Sequence, residues 1–310
     1  MRVVFFGTPL FAARSLLALL EGGIEVAGVV TQPDRPRGRS HSTLVAPPVK
    51  EVALASRLPV LQPERPLGDV FLAALRHLRP ELGVVVAYGH ILRPPVLQLP
   101  PRGMINLHAS LLPELRGAAP INWAILNGAA RTGVSVMQME AGMDSGPVYQ
   151  RVETPIGPQE TAGELTTRLA DLGARALLET VQQLEQGPLI PAPQDDGAAT
   201  FAPKIERAMA RLDWGESAPA LSRRVRAFDP APGAWSTLDG AEIKFFGART
   251  AGGEAAAAQP GTVLETGDEL AIATGNGVLR IAEVQPAGRK RLGVAAWARG
   301  RGAAPGQRFT

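Results

Sequence analysis

At 310 residues, 45% hydrophobic and 20% charged, the chain can bury a sizeable core, which excludes disorder by composition, and its length favours two domains over one. No cysteine is present, so disulfide and thiol chemistry are excluded, and the four histidines (His41, His77, His90, His108) lack metal-ligand spacing. The net charge of +3 is unevenly placed: 18 Lys+Arg face 19 Asp+Glu through Glu206, but 14 face 10 from Arg207 onward, a basic third that points to a polyanionic partner.

The opening MRVVFFGTP carries too short an apolar run for a signal peptide or a spanning helix, so the expected location is cytoplasmic. Arg2–Gly7 reads as a buried strand, and an apolar helix pattern around Phe11–Leu20 follows. Next come strand Val26–Thr31, helix Val49–Arg57, short strand Val60–Gln62, helix Asp69–Leu78 and strand Leu82–Ala87. Strand Met104–Ala109, helix Ile121–Leu126, strand Gly133–Met139 and a long helix Thr161–Gln186 complete this part. Apolar strands alternating with helices predict a mainly parallel, Rossmann-like α/β sheet covered on both faces.

Gly187–Pro203 holds four prolines and reads as a linker. Beyond it lie a short helix (Pro219–Phe228) and strand-length runs Ala234–Leu238, Glu242–Phe246, Gly261–Glu265, Leu270–Thr274 and Val278–Val284, the last two joined by the turn signal Gly275-Asn276-Gly277. A small β-barrel or sandwich is expected there. The predicted division is a catalytic domain over 1–189, a linker over 190–206 and a C-terminal domain over 207–310.

The first strand–turn–helix has only Gly7 where a dinucleotide fingerprint needs three glycines, so nucleotide binding of that kind is disfavoured. The informative segment is GMINLHASLLPELRGAAP (Gly103–Pro120). Residues two apart on a strand share a face, so Asn106 and His108 point together. A polar pair near the C-terminal end of a buried parallel strand is either a hydrogen-bonded cap or a site, and spacing alone leaves both open. Arg116, in the loop after it, is either a solvated cation or a group that orients an anion. Asp144, between Gly142 and Gly146, reads as a turn residue unless it meets His108, whose imidazole it would then orient.

Asn106-x-His108, the SLLPxxRGxxPI string (Ser110–Ile121) and the Asp144 loop together resemble the folate-dependent formyltransferase family. Further strings, FFGTP (Phe5–Pro9), QPDRP (Gln32–Pro36), VVVAYG (Val84–Gly89), ARLDW (Ala210–Trp214), VRAFDPAPGAW (Val225–Trp235) and QPAGRKR (Gln285–Arg291), are similar to its methionyl-tRNA formyltransferase branch. The resemblance spans nearly the whole chain. It implies 10-formyltetrahydrofolate as donor, initiator methionyl-tRNA as acceptor, and no metal. It gives Asn106, His108 and Asp144 the catalytic roles, with Asn106 facing the oxyanion. It puts the folate against Tyr88, Gly89, Ile91, Leu92, Ser110, Leu111, Leu112, Pro113, Gly142, Met143 and Asp144. It makes Asp34–Pro48 a loop that enters the tRNA acceptor end through Arg35, Arg37 and Arg39. The C-terminal domain becomes an OB-like barrel that holds tRNA by charge, with Arg223, Arg289, Lys290 and Arg291 joining Arg116 as RNA contacts.

The resemblance is incomplete in places. Ser40-His41-Ser42-Thr43 stand where the family commonly has lysines, Glu114 where many relatives are basic, and Asp229 and Ala231 replace an Asn and an aromatic residue. The rival expectations are a formyltransferase for a small amine, such as glycinamide ribotide or an amino sugar nucleotide, a formyl-folate hydrolase, and a non-catalytic RNA-binding protein. No coiled-coil pattern or apolar surface stripe stands out, which suggests a monomer.

Overall fold

The computed structural model describes residues 1–37, 43–251, 258–300 and 302–310. In chain order its first elements are β1 (Arg2–Gly7), α1 (Leu10–Glu21), β2 (Glu25–Val30), β3 (Arg35–Arg37), β4 (Thr43–Val45), α2 (Pro48–Ala55), β5 (Val60–Leu61) and α3 (Asp69–His77). Then come β6 (Leu82–Val86), α4 (Pro94–Leu97), β7 (Met104–His108), α5 (Pro120–Leu126), β8 (Arg131–Gln138), β9 (Val148–Pro155) and α6 (Ala162–Gln186). The last are α7 (Ala218–Ala227), β10 (Ala234–Leu238), β11 (Ala241–Ala251), β12 (Val263–Thr266), β13 (Leu270–Ala273), β14 (Val278–Pro286), β15 (Leu292–Gly293) and α8 (Val294–Arg299).

The chain divides into two compact units. One comprises 1–117, 132–154 and 166–202; the other comprises 118–131, 155–165 and 203–310. This differs from a division made at one linker, because α5 and the 155–165 segment cluster with the second unit. Asn122 Nδ2, on α5, donates to the Ala227 carbonyl at the end of α7 at 2.7 Å. Arg226 Nη1 reaches the Glu160 carbonyl at 3.0 Å.

The first unit is built on a seven-stranded sheet of order β5-β2-β1-β6-β7-β8-β9. The pairs β2/β5, β1/β2, β1/β6 and β6/β7 are parallel, and β7/β8 is antiparallel. The central strands are apolar throughout, VVFF in β1 and VVV in β6, as a sheet covered on both faces requires. Val4, Phe6, Val30 and Val85 pack with Phe71, Leu72 and Leu75 of α3 and with Val96 and Leu97 of α4. On the other face, Leu107 of β7 lies so close to α6 that a Cβ on Gly173 would come within 2.8 Å of it. Helix α6 starts with a capping box: Glu164 Oε2 accepts from the Thr161 N–H and hydroxyl, and the Glu164 N–H donates back to Thr161 Oγ1.

The expected elements are present, with most ends displaced by a residue or two; the strand expected over Glu242–Phe246 extends to Ala251. The short pair β3/β4, the edge strand β9 and the short elements α4, β15 and α8 are additional. Gly187–Pro203, expected as a linker, is bonded into the first unit through Ala192 to Val148 and through Ala202 to Arg116.

The second unit carries an antiparallel sheet of order β10-β11-β14-β13-β12, with β15 beside β14. Ala273 pairs with Val278 across the expected Gly275–Gly277 turn. Its core gathers Trp214, Leu221, Val225, Phe228, Phe245, Ile272, Ile281 and Phe309. Among the described residues, no helix is long and apolar enough to cross a membrane.

Candidate active site

Strand β7 delivers two polar side chains to one face at its C-terminal end. Ile105 and Leu107 are buried, Asn106 is half-buried, and His108 is only 6% exposed. Opposite them on β8 stand Met137 and Ser135. The Asn106 side chain has no hydrogen-bond partner among the described residues, so its amide is free to serve something else.

His108 is fixed by the main chain. Its Nε2 lies 2.9 Å from the Leu115 carbonyl oxygen. A carbonyl can only accept, so Nε2 carries the proton and the neutral ring leaves Nδ1 as its basic lone pair. That Nδ1 faces Asp144 Oδ2 at 3.7 Å, beyond a direct hydrogen bond but inside ion-pair range once the ring is protonated. The same carboxylate oxygen accepts the Gly117 N–H at 2.9 Å. The expected meeting of Asp144 with His108 therefore occurs, but the Leu115 carbonyl, not the carboxylate, orients the neutral imidazole.

The Ser110–Gly117 loop is held rigidly. Ser135 is fully buried; its hydroxyl donates to the Ser110 carbonyl at 2.7 Å and accepts the Leu112 N–H at 3.0 Å. Arg151 Nε reaches the Leu112 carbonyl at 2.6 Å, and the Leu112 side chain packs on Met137 and Val148. The Ser110 hydroxyl donates to the Glu114 carbonyl at 2.5 Å. Ser110 and Leu112, expected to touch folate, are thus buried and occupied by their own loop, whereas Leu111 and Pro113 are half-buried. At Gly117, φ is +118°, and a Cβ there would stand 2.9 Å from the Ala202 carbonyl oxygen. Glycine is required both by this conformation and by that close approach.

Two further loops carry the other expected folate contacts. After β6 the backbone turns through Ala87 (φ 44°) and Gly89 (φ 85°). The Tyr88 ring is buried against Phe6, and burial pushes its hydroxyl up to about 12. Leu92 shares that core, which leaves main-chain groups, the half-buried His90 and Ile91, 91% exposed, as what this loop can offer a ligand. In the loop after β8, Gly142 is exposed and Met143 is 60% exposed. Among the described residues, no group of three or more His, Asp or Glu could hold a metal ion.

Of the expected RNA contacts, Arg35 is exposed, with Nη2 at 2.6 Å from Gln32 Oε1. Arg37 ends β3, and Arg39 lies outside the described residues. Arg289 and Lys290 are exposed and without side-chain partners among the described residues; Arg223 is half-buried on α7. Two of the expected contacts are engaged within the chain. Arg116 is only 6% exposed and its guanidinium is bonded to Gln194 and Asp196. Arg291 is exposed and bridges Asp229 at 2.9 Å and Glu283 at 2.5 Å over the Phe246 ring. Sequence reasoning missed Leu115, Ser135, Gln194 and Thr200. None carries a local signal, because each acts through a backbone group or through a partner distant in sequence.

The family model described as formyl transferase matches residues 1–181, and that described as formyl transferase, C-terminal domain, matches residues 204–302. The chain belongs to the formyl transferase family. Similar to this family member are the methionyl-tRNA formyltransferase of Pelobacter propionicus, 46% identical over 96% of this chain and 92% of that protein, and that of Solibacter usitatus, 47% identical over 97% and 96%. Among solved structures, HypX from Aquifex aeolicus in complex with tetrahydrofolic acid shares the fold, with a TM-score of 0.68 at 21% identity over 96% of this chain and 46% of that one. The N-formyltransferase from Helicobacter canadensis, in complex with folinic acid and dTDP-3-aminofucose, has a TM-score of 0.69 at 15% identity over 92% and 98%.

Proposed function

We propose that this protein transfers the formyl group of 10-formyltetrahydrofolate to the free amino group of initiator methionyl-tRNA, acting as a monomer in the cytoplasm. The observation that carries the reading is the His108 ring, its proton committed to the Leu115 carbonyl and its Nδ1 open beside Asp144, on the same strand face as the unpartnered Asn106 amide.

The amine of an aminoacyl ester is far less basic than a lysine, so part of it is neutral and able to attack the formyl carbon. As the new C–N bond forms, the Asn106 amide donates to the oxygen that gains charge, a contribution of about 2.7–4 kcal/mol for such a donor. His108 Nδ1 takes the proton released by the amine. The imidazolium is then stabilised on both sides, by the Leu115 carbonyl and by the Asp144 carboxylate. When the bond from carbon to folate nitrogen breaks, Nδ1 returns the proton to that nitrogen, and tetrahydrofolate leaves. No electrons change hands, so the chain need only align, stabilise charge and move one proton.

The folate is read as lying along the Tyr88–Leu92 and Gly142–Asp144 loops with Leu111 and Pro113, while Ser110 and Leu112 shape the floor. The β3–β4 hairpin with Arg35 and Arg37 is read as meeting the acceptor end of the tRNA, and the exposed Arg289 and Lys290 as meeting its backbone. A transfer assay with 10-formyltetrahydrofolate, offering charged initiator methionyl-tRNA beside glycinamide ribotide, tests the reading. Formylation of the tRNA alone supports it; activity only on the small amine would keep the Asn106–His108–Asp144 chemistry and discard the RNA acceptor.

A further inference from the structure

The segment 191–202 runs across both loops that flank His108, the one carrying Leu115 and the one carrying Asp144. Thr200 holds the first: its hydroxyl accepts the Leu115 N–H at 2.8 Å, and its carbonyl accepts the Arg116 N–H at 2.9 Å. Leu115 is the residue whose carbonyl fixes His108. Gln194 holds the second: its Nε2 donates to the carbonyls of Asp144 at 2.8 Å and Gly146 at 2.7 Å. Its Oε1 accepts from Arg116 Nε and Nη2 at 3.1 and 2.9 Å, so one amide group ties the two loops together. Asp144 needs such support. It sits at φ 50°, a left-handed conformation that aspartate tolerates but at some cost relative to glycine.

We infer that Gln194 is a positioning residue for formyl transfer, setting the distance between the Asp144 carboxylate and His108 Nδ1 by clamping the Asp144 main chain to the Arg116 loop. This rests on the proposed role of Asp144 and His108. It gives a catalytic consequence to a segment beyond the matched N-terminal family region. Gln194 touches no reacting atom. It acts by donating hydrogen bonds to the Asp144 and Gly146 carbonyls, beside the Gly117 N–H on the Asp144 carboxylate and the Gln138 N–H on the Pro147 carbonyl.

Two substitutions separate this role from mere stabilisation of Arg116. Gln194→Ala removes both halves of the clamp. Gln194→Glu keeps an acceptor for Arg116, and adds charge to it, but places an oxygen against the Asp144 and Gly146 carbonyls where a donor is required. Both variants are compared with the wild-type full chain for steady-state formyl transfer to methionyl-tRNA, for melting temperature, and for hydrogen exchange of the Gly117 amide followed by NMR. That amide donates to Asp144 Oδ2, so its protection reports the carboxylate's position without any turnover.

The expected result is that both variants lose about 10- to 100-fold in kcat, with KM for donor and acceptor changed by less than about twofold, and that Gly117 exchange accelerates in both. A Glu variant with wild-type kcat would overturn the inference, because Arg116 alone would then be what Gln194 serves. Unchanged Gly117 protection in the Ala variant would overturn it as well. If the Ala variant does not fold, the Glu variant decides. A wild-type chain that formylates no tRNA would instead refute the proposed function, and the exchange measurement would still judge the clamp.

Discussion

Replacing Asn106 with alanine separates chemistry from folding. The side chain is half-buried and makes no hydrogen bond among the described residues, so its removal orphans no partner and opens no sealed cavity. The stability change should stay within about 0.5 kcal/mol, the range of substitutions away from buried networks. Melting should shift by no more than about 2 °C. The rate is another matter. If the amide stabilises the oxygen of the tetrahedral intermediate only as charge develops, its loss removes about 2.7–4 kcal/mol from the transition state, a fall of about 100- to 1000-fold in kcat. Because the ground state does not use this bond, KM for both substrates should hold. The assay is steady-state formylation of methionyl-tRNA at saturating donor, beside a thermal melt of the same preparation. A variant with normal kcat, or one that loses activity only in step with its melting temperature, would refute this reasoning.

Other outcomes follow from the same geometry. Ser135→Ala orphans the Ser110 carbonyl and the Leu112 N–H together, and at about 1–3 kcal/mol for each buried unpaired group the loss should reach about 2–6 kcal/mol, measured by chemical denaturation. Gly117→Ala combines φ +118° with a contact against the Ala202 carbonyl, so it should destabilise by about 1–3 kcal/mol and displace the N–H that Asp144 accepts, seen as a fall in both melting temperature and kcat. Hydrogen bonds from Gln62, then from Lys50, hold the Asp34 carboxyl below its ordinary value. Its contribution is therefore present above the usual carboxylate range and is lost as pH falls through the lowered value; Asp34→Asn should flatten the acid limb of a melting-temperature profile as pH falls through and below the usual carboxylate range. Affinity for methionyl-tRNA should fall steeply with added salt, and Arg289→Ala with Lys290→Ala should make that slope shallower; an affinity indifferent to salt would count against backbone contacts.

The architecture of the first unit was legible because its signals are local. Apolar runs such as VVFF and VVV announce strands buried on both faces, and α3 and α6 show their stripes within one or two turns. Strand β9 was not legible: its VYQRVETP pattern is polar, half of it faces outward, and an edge strand needs no apolar run. The candidate site divides in the same way. Asn106 and His108 share a face by strand periodicity, and the Asp144 loop carries its glycines on either side. What escaped is the support. Leu115 acts through its carbonyl, Ser135 by joining two backbone groups 23 and 25 residues away, and Gln194 by reaching back 48 and 50 residues to its acceptors. Proline-rich composition reads as slack chain, yet here the stretch is tied down through Ala192 to Val148, Thr200 to Arg116 and Ala202 to Arg116. At Arg116 and Arg291 the sequence shows the charge but not the carboxylates and amide that engage it.

The interleaving of the two units bears on how such a protein could be recombined. The chain passes from one unit to the other after Gly117, Arg131, Thr154, Leu165 and Ala202. A crossover between two relatives placed at the proline-rich stretch would import a new sheet from β10 onward while keeping the parental α5 and 155–165 segment. The imported α7 would then face an Asn122 and a Glu160 carbonyl with which it had never been paired. Exchange of the second unit as a cassette is thus restricted: α5 and the 155–165 segment belong to it but precede the joint, so a crossover there favours parents that already agree at these segments.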